Sequence, residues 1–97
     1  MIHLESKGMR RMFHPNQRPL LIYYYLTVSY DGPIPIYGIR IQSHAEDHPQ
    51  LLHCETILDI SDSKNDTCAL IELCMQHAVT PTDLLSSIDL LIETCFQ

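Results

Sequence analysis

The sequence predicts an α+β domain, a three-stranded antiparallel β-meander followed by two C-terminal helices packed on one sheet face. Three observations predict it. Alternation of apolar and polar residues with period two recurs in three runs between Leu20 and Ile60. From Leu70 to Cys95 the apolar residues instead fall three and four apart, the spacing of a helical stripe. All strand patterns precede all helix patterns, whereas an α/β chain would alternate them.

Residues 20–30 make the first strand, rich in aromatic and β-branched residues with no glycine or proline inside. Alternation assigns Ile22, Tyr24, Leu26, Val28 and Tyr30 to the core face and Tyr23, Tyr25, Thr27 and Ser29 to the other. Asp31-Gly32-Pro33 reads as a turn. The second strand, residues 34–43, points Tyr37, Ile39 and Ile41 inward, and Gly38 marks a bulge or a close approach to the backbone. A polar loop follows over residues 44–50. The third strand, residues 51–60, then places Leu52, Cys54, Thr56, Leu58 and Ile60 on one side, with Cys54 and Leu58 expected in the core.

The first helix begins at Ser63, whose hydroxyl is placed to cap the chain near Asp66, and runs to about His77. The second has the sharper start. Thr80 is an N-cap, Pro81 takes the first helical position where its missing N–H is harmless, and Asp83 completes the box. Val79 and Leu84 have the spacing of a hydrophobic staple across it. Leu84, Ile88, Leu91, Ile92 and Cys95 form its apolar stripe.

Ninety-seven residues suit one domain, and an apolar fraction of 45% argues against global disorder. Residues 1–19 hold Gly8, Pro15 and Pro19 with no sustained period, so they read as a flexible basic N-terminal arm, leaving 20–97 as the folded domain. Lys7, Arg10, Arg11 and Arg18 against Glu5 make the arm positive, while the rest of the chain opposes only Arg40 and Lys64 to eleven carboxylates. An acidic body repels phosphate backbones, which favours a protein partner over nucleic acid. The opening residues lack a secretory signal and no apolar run is long enough to span a membrane, so a cytoplasmic chain with reduced cysteines is expected.

Two groups of residues carry chemistry. With helices on one face only, Tyr23 and Tyr25 lie on the open face, where tyrosines can anchor a partner. The competing group is the run from His44 to Cys54, in which His48, His53 and Cys54 could join Cys74 and His77 of the first helix around zinc, through imidazole and thiolate. No Cys-x-x-Cys knuckle supports that site. Cysteine catalysis is disfavoured, because His53 and Cys54 are adjacent in a strand and point to opposite faces. Read as an EF-hand, residues 59–70 put Lys64 where glycine belongs and Leu70 where the bidentate glutamate belongs.

Tyr37-Gly38-Ile39, Asp59-Ile60-Ser61 and Pro81-x-x-Leu84-x-x-x-Ile88 resemble a family of small bacterial proteins known only as a domain of unknown function. The resemblance spans about residues 21–96 and implies no activity. The expectation is a small non-enzymatic interaction module without a cofactor that self-associates through its tyrosine face or an exposed edge strand. A zinc-stabilised domain is the alternative.

Overall fold

The computed structural model describes residues 2–13, 18–47 and 50–95. Four strands, β1 (His3–Met12), β2 (Leu20–Asp31), β3 (Ile34–Ala45) and β4 (Leu51–Ser61), precede α1 (Lys64–Gln76) and α2 (Pro81–Cys95). The strands form one antiparallel sheet in the order β1-β2-β3-β4. The α+β class and both helices are as expected, but the sheet has four strands rather than three.

The additional strand comes from the stretch expected to be a flexible arm. Two features hide it from a pattern reading. A register shift between Ser6 and Gly8 breaks its alternation. Its helix-side residues, His3, Glu5, Gly8, Arg10 and Met12 by their pairing with β2, include only one large apolar side chain, and α1 supplies partners for Glu5 and Arg10. Lys64 at the start of α1 meets Glu5 at 3.4 Å, and Arg10 donates to the Met75 carbonyl at 2.8 Å near its end. That cation stands at the negative end of a helix that has no basic residue in its own last turn.

Ile22, Tyr24 and Leu26 of β2 and Ile39 and Ile41 of β3 are fully buried. They pack against Leu70, Ile71 and Cys74 of α1 and Leu84, Ile88 and Leu91 of α2. Tyr24 lies inside this layer and donates its hydroxyl to the Val79 carbonyl at 2.8 Å, tying β2 to the turn between the helices. Tyr30, expected in the core, is 59% exposed because it stands at the hairpin end, past the reach of the helices.

Local chemistry sets the connections. Gly32 takes φ 61° and, with Pro33, makes a two-residue hairpin loop between paired Asp31 and Ile34. Ser63 caps α1 by accepting from the Asp66 amide at 3.2 Å. The α2 box forms as read, with Thr80 accepting from the Asp83 amide at 3.3 Å and donating to its carboxylate at 2.8 Å. Between the helices the Val79 amide bonds the Cys74 carbonyl and the Ala78 amide the Met75 carbonyl. These are the two bonds of a Schellman stop, with Ala78 at φ 49° where glycine is usual.

The pairing of β3 with β4 corrects the expected core face of β4. Ile57 stands opposite Ile39 and Cys54 opposite Gln42, so Ile57 joins the core side while Cys54 and Thr56 face away. The register shifts again between Tyr37 and Ile39, where Leu58, Asp59 and Ile60 bulge past Gly38. A β-carbon at Gly38 would meet Thr27 Oγ1 at 2.6 Å and the Leu58 Cα at 2.9 Å. Both readings of Gly38, as bulge and as close approach, therefore hold. Leu58 is 38% exposed on the bulge instead of buried.

Gly38→Ala should lower the unfolding free energy by roughly 1–3 kcal/mol, since backbone stands in the way of the added methyl. Ala78→Gly should raise it by about 0.5–1 kcal/mol by relieving the left-handed residue, the gain being reduced by the greater freedom of unfolded glycine. Urea denaturation of both variants checks the two signs.

Candidate interaction face

Both helices lie on one side of the sheet, and the register determines what the other side carries. Tyr23 pairs with Gln42 and Met9, and Tyr25 with Arg40 and Ser6, so these side chains share the uncovered face. Tyr23 and Tyr25 are half-buried there, as the alternation of β2 predicts. With Leu21, His44, Glu46 and Asp47 they line a shallow hollow of about 540 Å³.

The hollow is built by pairs of aromatic and charged groups. The Tyr23 and His44 rings meet edge to face at 5.4 Å. Arg11 holds Glu46 through two contacts of 2.5 and 2.6 Å, a bidentate pair, and its guanidinium carbon lies 4.3 Å above the Phe13 ring. Arg18 meets Asp47 at 3.1 Å across an exposed pair of small energetic value. Arg40 donates through Nε to Thr56 Oγ1 at 2.8 Å, next to Tyr25.

The bulge of β4 closes the far end of this face. Asp59 takes φ 57° and reaches across β3 to accept from the Ser29 hydroxyl at 3.1 Å. Thr27 is fully buried beneath it, on the face the helices leave uncovered, and its hydroxyl has no protein partner. The open region is thus confined to the half of the sheet that carries the two tyrosines.

Met9, His44 and the Arg11–Glu46 pair belong to the face but escape sequence reading. Met9 and Arg11 sit on the strand hidden by its bulge, and His44 reads as loop although β3 continues to Ala45.

The residues considered for zinc are dispersed. Cys54 is exposed on the uncovered face of β4, whereas Cys74 is fully buried on the opposite side of the sheet. His53 stands opposite Ser43 on the helix side, and His77 is the exposed C-cap of α1. His48 lies outside the described residues. Among the described residues no three His, Cys, Asp or Glu side chains are grouped to hold a metal ion. Burial pushes the Cys74 thiol up to about 11, with Cys95 nearby adding to the shift, the opposite of what a thiolate ligand needs.

The profile of Family of unknown function (DUF6514) matches residues 5–94. The chain belongs to this family. The match takes in β1, so the DUF6514 region begins well before the residues that carried the resemblance in sequence. Comparison with curated proteins and with solved structures finds no match. Among the described residues no helix of this DUF6514 chain is long and apolar enough to cross a membrane.

The buried groups give the chain an alkaline limit. Tyr24 is pushed up to about 12 by burial, with Cys74 adding to the shift and Arg10 opposing it. The folded state keeps two protons that the unfolded state releases nearer pH 9 and 10, so stability should hold below pH 9 and fall between pH 9 and 12. Thermal midpoints across that range check the sign, and Cys74→Ala should flatten the part between 9 and 11. A thiol reagent should label Cys54 in the native state and Cys74 only on unfolding.

Proposed function

We propose that this chain is a non-enzymatic protein-interaction module of the cytoplasm that self-associates and receives a protein partner on the open face of its sheet. The observation that carries the reading is the one-sided helix layer, which leaves Tyr23 and Tyr25 lining a hollow. Tyrosines suit such a role, since each offers a large rigid contact area with few torsions to freeze and a hydroxyl at its tip. Met9, 51% exposed on β1 opposite Tyr23, extends the apolar surface beside them.

The charge layout favours a partner that approaches this face. Asp66, Glu72, Asp83, Asp89 and Glu93 all ride on the two helices, opposed there by Lys64 alone. On the sheet face Glu46 and Asp47 are held by Arg11 and Arg18, and Arg40 has no carboxylate among its bonds. The carboxylates that border the tyrosines are thus paired with arginines, and those of the helices lie on the other side of the sheet. The loss of a large apolar contact at the centre of an interface typically removes most of the affinity.

The test compares three immobilised proteins, the wild type, Tyr23→Ser/Tyr25→Ser and Leu90→Ser, offered to the soluble proteins of the source cell. Leu90 is 68% exposed on α2 and serves as the helix-side control. A partner retained by the wild type and the control and lost by the double variant is the expected result. Equal retention by all three overturns the face. Sedimentation across a range of concentrations tests self-association, and a single chain at every concentration overturns it.

A further inference from the structure

We infer that two copies of the chain join through β4, edge to edge and antiparallel, about a two-fold axis at Cys54. This rests on the self-association proposed above and names its surface. The sheet has two edges, and they are treated differently. The β1 edge is interrupted by its register shift at Ser6–Gly8 and carries Lys7, Arg10 and Arg11, devices that discourage pairing with a further strand. Between its own two register shifts β4 is regular from His53 to Ile57, with no proline, lysine or arginine. Among the described residues no strand pairs with its outer side. Leu51 and Leu52 at the head of this stretch are 43% and 47% exposed.

The side chains select a second copy as the occupant. In an antiparallel pair, residues opposite one another share a face, so a two-fold axis through the edge must place some residue opposite itself. An axis at Glu55 sets two carboxylates against each other. An axis at His53 leaves Glu55 facing Leu51. An axis at Cys54 places His53 opposite Glu55 of the second copy, twice by symmetry. Of these three registers only the last sets an imidazole opposite a carboxylate, and the flanking register shifts keep the pairing short.

The helix layer adds apolar surface at the same border. α2 packs over β3 and β4, and its α1-facing side carries Ser87, Leu90 and Thr94, which share a groove with Leu73 and His77. Leu85 lies half a turn away on the helix, on the flank towards the β4 edge, and is 61% exposed. The joined pair would hold one continuous eight-stranded sheet, with both helix layers on one side and both tyrosine faces on the other.

The experiment exploits the axis. Reduced protein is treated briefly with diamide, which takes two protons and two electrons from a thiol pair as the disulfide forms. A dimer bridged between the Cys54 residues of two chains is expected, lost in Cys54→Ser and kept in Cys95→Ser. Independently, His53→Glu should weaken the dimer roughly 2- to 30-fold by sedimentation, from two cross-strand pairs, and His53→Glu/Glu55→Lys should restore it. An oligomer indifferent to His53→Glu, with no Cys54 bridge, overturns the β4 register and leaves self-association standing. A monomer at every concentration overturns both.

Discussion

The hydrogen bond from Tyr24 to the Val79 carbonyl is the contact on which the arrangement of the layers depends. It joins the centre of an interior strand to the turn where α1 stops and α2 begins, and both partners are buried. Breaking it would strand a carbonyl in the core, which is typically worth about 1–3 kcal/mol in a domain of marginal stability. With the turn anchored there, both helices lie across the same side of β2 and β3. Their apolar stripes are consumed by that side, and nothing of the helix pair remains to cover the other.

A second constraint acts on the uncovered side. The missing side chain at Gly38 lets the β4 backbone arch over β3, and Asp59 secures the arch on Ser29 of β2. One half of the open face is closed by main chain, at the expense of the Thr27 hydroxyl left dry beneath it. The other half keeps Tyr23 and Tyr25 accessible. The position of the hollow thus follows from one glycine and one bulge as much as from the tyrosines that line it. The same bulge ends the regular part of β4 and so sets where its edge can pair.

Charge and thiol chemistry divide along the same two sides. The carboxylates of α1 and α2 project from the helix layer, while the arginines of β1 and β3 serve the sheet face or the end of α1. Cys74 is protonated and sealed in the core, Cys54 is free on the outside, and the sheet separates them. Cys54 and Cys74 therefore do not meet around one ion.

Sequence by itself determined the elements whose signals are local. The period of β2, the Gly32-Pro33 turn, the Ser63 and Thr80 caps and the stripe of α2 each depend on residues a few positions apart, and each is present in the fold. The membership of Tyr23 and Tyr25 in the face opposite Tyr24 follows from the two-residue repeat of a strand. Tertiary structure decided whatever depends on pairing across the chain. β1 is a strand because β2 accepts it and α1 satisfies Glu5 and Arg10, a fact invisible in a polar, bulged segment read alone. Cys54 faces outward because the register puts Ile57, and not its neighbours, opposite Ile39. A shift of one residue reverses every side chain of a strand, and no local signal in β4 chooses between the two settings.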